Sequence, residues 1–92
     1  MATNDQDVAL LQQVIAAELR AARARTGRTQ EEVADLTGYH RSTVNRLLGG
    51  TRKVDVLQLI DLAKALDTTP GEILDAAQRE YERKKDTGPD PK

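Results

Sequence analysis

Apolar residues recur at helical spacing along most of the chain, and the strict alternation of a half-buried strand is absent. Val8, Leu11, Ile15, Leu19 and Ala22 follow one another every three or four residues, predicting a first helix over 5–26 that stops at Gly27. Thr29 and Glu32 stand at capping-box spacing, where hydroxyl and carboxylate each accept a backbone amide at a helix start. A second helix therefore begins at Thr29 and ends near Gly38. A third covers 41–48, with Val44, Leu47 and Leu48 on one stripe and Gly49-Gly50 as its stop. A fourth covers 56–66, with Asp55 as N-cap and Val56, Leu59, Ile60, Ala63 and Leu66 expected on its buried side. The fifth opens with Thr69, Pro70 and Glu72 in the order cap, first-position proline, third-position glutamate. It carries Ile73, Leu74, Ala77 and Tyr81 and fades at Arg83, Lys84 and Lys85. Residues 86–92, with two prolines and a glycine, read as a disordered tail. The expectation is an all-α, compact five-helix domain over 1–85, without internal repeats or a second domain.

Composition sharpens this picture. Ninety-two residues leave room for one modest core. With no Phe or Trp and two tyrosines, that core must be aliphatic side chains packed between helices. The absence of cysteine removes disulfides, thiolate chemistry and zinc-finger sites. No apolar run approaches the ~20 residues of a membrane span, and the first residues lack a signal-peptide pattern, so a cytoplasmic setting is expected.

The net charge of −1 hides an uneven distribution. Residues 18–53 hold eight Lys/Arg against four acids, a net +4, and the remainder holds six against eleven, a net −5. A basic middle between acidic ends suits a locally bound polyanion, although ordinary charged helix surfaces would look the same.

Two short helices joined by a tight glycine turn carry the most specific signal. The stretch TQEEVADLTGYHRSTVNRLLGGT, residues 29–51, resembles the helix-turn-helix of the phage repressor and Cro-like proteins, with the motif itself at 29–48 and the likeness extending over about 15–74. Ala34 is small where the motif's helices touch, Gly38 takes the turn, and Val33, Val44 and Leu47 anchor the two helices. The resemblance implies a lambda-repressor-like DNA-binding domain and a dimeric transcriptional repressor, its third helix in the major groove of double-stranded DNA. By match of position, Arg41, Ser42 and Arg46 become base-reading candidates. Arginine suits that role because its guanidinium donates two bonds to guanine O6 and N7. His40, Thr43 and Asn45 are candidates for base or phosphate. Gln30, Arg52, Lys53 and Arg23 are phosphate candidates, Gln30 also bracing the start of the third helix.

Three positions depart from the family pattern. Leu48 stands where many relatives carry a glutamate paired with an arginine at the position of Arg23, which here needs another partner. Gly49 removes a side-chain phosphate contact, and Thr37 is less apolar than usual.

Each assignment has a plainer reading. Arg41 and Arg46 also fit solubility charges, Gln30 helix surface, Asn45 a rim position, and Arg23 an internal ion pair. An enzyme is not expected: the single His40 and Ser42 lie two apart and do not face each other on a helix, and no phosphate loop, metal cluster or cofactor motif appears. Single-stranded nucleic acid needs aromatic platforms that are missing. The rival class is a protein-interaction module on the same fold, such as an antitoxin, with a toxin or anti-repressor as protein partner. The long first and fifth helices supply spare apolar positions for it, whereas arginines on the third helix favour DNA.

Overall fold

The computed structural model describes residues 5–86 and consists there of five helices, α1 (Asp5–Thr26), α2 (Gln30–Thr37), α3 (Arg41–Gly49), α4 (Val56–Ala65) and α5 (Pro70–Asp86). The tail expected over 86–92 lies outside the described residues except for Asp86, which closes α5.

Local chemistry sets the helix starts. Ahead of α2, the Glu32 amide donates to Thr29 Oγ1 (3.1 Å) and the Thr29 amide to Glu32 Oε1 (2.8 Å), completing the predicted capping box. Asp55 and Gln58 build a second box at α4, of which only the Asp55 half was expected. At α5 Thr69 Oγ1 accepts from the Glu72 amide (3.1 Å), while the Glu72 carboxylate takes the Thr68 hydroxyl instead of the cap amide. The turn between α2 and α3 is made by Gly38 at φ +80°, whose amide bonds to the Ala34 carbonyl at 2.8 Å. At the end of α3 it is Gly50, not Gly49, that takes the left-handed conformation, φ +83°.

The core joins all five helices: Leu19 and Ala22 of α1, Val33 and Ala34 of α2, Val44, Leu47 and Leu48 of α3, Leu59, Leu62 and Ala65 of α4, Leu66, and Ile73 of α5. Two faces differ from expectation. On α4 Leu59, Leu62, Ala63 and Ala65 are buried, whereas Val56 is 72% and Ile60 41% exposed. The sequence VLQLIDLAKAL is apolar nearly all round, so its period does not choose a face; packing against α2 and α5 does. On α1 the fully buried residues are Val14, Ala16, Leu19 and Ala22, with Val8, Leu11 and Ile15 half-buried, because α5 lies along the helix. Tyr81 and Lys85 of α5 stack near the α1 start, where Lys85 also meets Asp7 at 3.3 Å.

Long polar side chains fix the corners. Arg28 Nη1 donates to the Ala65 carbonyl and to Asp67 Oδ2, both at 2.9 Å, tying the α1–α2 loop to the α4–α5 corner. That corner carries Asp67 at φ +58°, a conformation unusual for a residue with a Cβ.

Candidate nucleic-acid interface

The nine residues of α3 separate into two faces. Val44, Leu47 and Leu48 are fully buried, and Arg41, Ser42, Asn45 and Arg46 are exposed. The exposed four, with Gln30 from the start of α2, line one open hollow. Its lining is neutral or basic and contains no carboxylate. Asn45 Nδ2 donates to Gln30 Oε1 at 3.1 Å, so Gln30 braces the middle of α3 rather than its first residue. Thr43 is half-buried at the edge of this face. Arg52 and Lys53 are exposed in the segment between α3 and α4.

The start of α3 is unlike those of α2 and α4. His40 occupies the N-cap position but makes no side-chain cap bond, and the first turn holds no acid. Its first residue is Arg41, a cation at the positive end of the helix dipole, an arrangement that costs about 0.3–1 kcal/mol unless an anion is near. The amides of the first turn therefore lack a side-chain acceptor, as a phosphate-binding helix end requires.

The opposite end is held from α1. Arg20 Nη1 donates to the Leu48 carbonyl at 2.6 Å and Gln12 Nε2 to the Gly50 carbonyl at 2.5 Å. A guanidinium on the C-terminal carbonyls also complements the dipole there. Gly50 packs against α1, since a Cβ on it would come within 3.4 Å of Ala16 Cβ. The turn ahead of α3 is fixed to α4 by Tyr39, whose hydroxyl donates to Asp61 Oδ2. Burial first, then the Asp61 carboxylate, pushes the Tyr39 phenol up to about 12, so it stays protonated and keeps donating.

Arg23 lies in the last turn of α1, outside the α3 hollow. Its Nη1 donates to the Arg28 carbonyl at 2.7 Å, and its Nε is buried without a hydrogen-bond partner. With Leu48 in the core instead of an acid, Arg23 has taken a backbone carbonyl as its partner. The positioning roles of Gln12, Arg20, Tyr39 and Asp61 have no local sequence signal, because each bond joins residues 22 or more apart.

A family model described as a helix-turn-helix domain matches residues 14–76, more than half of the chain. The chain belongs to the helix-turn-helix domain family. Among solved structures it is similar to the restriction-modification controller protein C.AhdI from Aeromonas hydrophila, at 36% identity and TM-score 0.62, over 70% of this chain and 94% of that one. It is also similar to the clp gene regulator ClgR from Corynebacterium glutamicum, at 26% identity and TM-score 0.72, over 76% of this chain and 91% of that one. A second ClgR structure, 24% identical with TM-score 0.76 over 83% of this chain and 81% of that one, shares the fold. A search of curated protein sequences finds no significant match. The likeness to C.AhdI agrees with the phage repressor and Cro-like character read from residues 29–51. The helix-turn-helix family and the regulator neighbours together support a DNA-binding regulator. Among the described residues no helix is long and apolar enough to cross a membrane.

Proposed function

We propose that the protein is a sequence-specific transcriptional regulator, acting as a dimeric repressor that covers a promoter with α3 in the major groove of double-stranded DNA. The observation that carries this reading is the outward face of α3: two arginines, a serine and an asparagine, no carboxylate, and an uncapped helix start with Arg41 at its head. Arg41, Ser42 and Arg46 then read base edges, with His40, Thr43 and Asn45 on bases or phosphates. Gln30, Arg52 and Lys53 contact phosphates and set the register. Arg23, whose guanidinium is held by the α1–α2 loop, fits bracing of that loop better than phosphate contact.

The test is selection from a pool of random duplex DNA with the purified chain. Enrichment of a palindromic site is expected, and no enrichment over the input refutes DNA recognition. In that event the alternative, an antitoxin or other interaction module on the same fold, gains ground. Its supporting observation is the largely apolar hollow between α1 and α5, where Leu11, Ile15, Leu74, Ala77 and Tyr81 line the wall together with Gln78 and Glu82.

A further inference from the structure

The first helix carries an apolar stripe that the core does not absorb. Val8, Leu11 and Ile15 share one face of α1 at helical spacing, yet each is only half-buried, whereas Leu19 and Ala22 further along are fully buried. Together with Gln12 of the same helix and with Lys53 and Val54 from the segment between α3 and α4, they line one hollow. Val54 is packed against the core, which fixes that wall. The hollow measures about 450 Å³, within the range of about 300–1,000 Å³ usual for small-molecule sites. At about 30 Å³ per heavy atom, the share of a water in the liquid, it has room for about 15 atoms.

We infer that this hollow binds a medium-chain carboxylate, its hydrocarbon tail on Val8, Leu11, Ile15 and Val54 and its head group at Lys53. The lining chooses that chemistry. Four of its six side chains are aliphatic and none is aromatic, so it suits an acyl chain and offers no face for a planar ring to stack on. It contains no carboxylate that could hold a cation. Lys53 is exposed and, among the described residues, has no ion-pair partner. Its four-carbon stem extends the apolar wall while the ammonium reaches the mouth. Gln12 spends one of its two side-chain N–H bonds on the Gly50 carbonyl and keeps the other for an acceptor. The acids nearest in the chain are engaged elsewhere, Asp7 with Lys85 and Asp55 in its capping box. One cation and one amide N–H match a single carboxylate; a more highly charged head group would be left short of partners.

The position of the hollow gives such a ligand a consequence. Lys53 is a proposed phosphate contact, and Gln12 holds the carbonyl that follows α3. A carboxylate on Lys53 neutralises the charge that a DNA phosphate needs, so ligand and duplex compete for one cation. This competition rests on the proposed DNA reading, whereas the site itself does not.

The experiment is titration of the full chain with sodium decanoate, followed by backbone amide NMR shifts, with butyrate and decyltrimethylammonium as probes of chain length and charge. Saturable shifts at residues 8–15 and 53–54 are expected, with a midpoint below about 1 mM, and neither control should reproduce them. Lys53→Met keeps the apolar stem and should weaken decanoate about threefold to fivefold. Val8→Glu brings a carboxylate into the hollow and should weaken it more than tenfold, while an acid in the first turn of α1 leaves the helix intact. Val8 is outside the α3 face, so this variant should bind the selected duplex like the wild type. Saturating decanoate should weaken the wild type on that duplex by about threefold to tenfold and lower its salt slope by about one, with no effect on Val8→Glu. No saturable shift up to about 10 mM overturns the site. So does an equal response to decyltrimethylammonium, which would be detergent-like adsorption, and so do shifts that centre on Leu74 and Tyr81 and survive Val8→Glu. Saturable binding that leaves DNA affinity unchanged overturns the competition. Saturable binding by a chain that enriches no DNA upholds the site and refutes the DNA reading instead.

Discussion

Arg46 and Leu47 are neighbours in the chain and point to opposite sides of α3, so alanine at each position separates recognition from folding. Leu47 is fully buried in the core cluster to which all five helices contribute. Its truncation removes the transfer free energy of the lost methyl groups and leaves a cavity, together about 3–5 kcal/mol. Set against a typical total stability of about 5–15 kcal/mol, that is a large fraction. At about 4–8 °C per kcal/mol for a domain of this size, the melting temperature should fall by more than 10 °C. Arg46 is exposed and, among the described residues, has no side-chain hydrogen bond or ion pair, so its truncation should move stability by no more than about 0.5 kcal/mol. On the selected duplex, however, it should cost about 1–3 kcal/mol and relax preference at one base pair. Urea denaturation followed by helical circular dichroism reads the first effect, and fluorescence anisotropy with labelled duplexes reads the second. A loss below 1 kcal/mol for Leu47→Ala would show that α3 is not held by its buried stripe. Equal weakening on selected and random duplexes for Arg46→Ala would show that Arg46 contacts phosphate, not bases.

Other consequences follow from single residues. Lys53→Ala should weaken specific and random duplexes alike and lower the slope of log affinity against log salt by about one, measured by anisotropy across a salt series. Gly50→Ala should destabilise the chain by about 1 kcal/mol or more, since φ +83° strains any Cβ and this one also meets Ala16 Cβ; a urea midpoint unchanged from wild type refutes it. The Tyr39 phenol, raised to about 12 by burial and Asp61, binds its proton more tightly in the folded than in the unfolded chain. Its contribution is therefore complete below pH 10 and lost as pH climbs towards 12. Tyr39→Phe should remove that part of the alkaline stability loss, together with the late phenolate absorbance change near 295 nm.

Those features written in contiguous residues were legible in the sequence. The capping box of Thr29 and Glu32, the glycine turn at Gly38 and the split of α3 into two faces each depend on spacings of a few residues, and each appears as expected. The outward set Arg41, Ser42, Asn45 and Arg46 followed directly from the position of the buried stripe. The face of α4 was only partly legible: Leu59, Ala63 and Leu66 are buried as expected, whereas Val56 and Ile60 are exposed, because tertiary contacts decide on a helix with few polar positions. What escaped notice were bonds closed by the fold: Arg20 to the Leu48 carbonyl, Gln12 to the Gly50 carbonyl, Arg28 to Ala65 and Asp67. Any arginine or glutamine on these helices could make such a bond as far as sequence shows.

The hydrogen bonds from α1 explain how α3 can tolerate a poor N-terminus. Taken alone, a nine-residue helix without a side-chain cap, with no acid in its first turn and with a cation at its first position is a weak element. It is held instead by a fully buried stripe on one side, by Arg20 and Gln12 on its terminal carbonyls, and by Tyr39 fixing the turn before it. These restraints lie on the core side, at the C-terminal end or in the turn ahead of the helix, and none occupies the outward side chains of Arg41, Ser42 or Arg46. The one exception on that face, Asn45, is bonded to Gln30, which narrows the orientation of its amide while leaving its oxygen available as an acceptor. Local preference is violated at the N-terminal end of α3 and satisfied at the starts of α2 and α4, the pattern expected where a helix end is kept open for an anion. A side-chain cap introduced there, as His40→Asp, should therefore raise stability by about 1 kcal/mol and weaken DNA binding, because the new carboxylate would occupy the amides and repel the phosphate that the uncapped end receives. Urea denaturation and anisotropy on the same sample decide it: a gain in stability with unchanged affinity would show that no phosphate sits at this helix end.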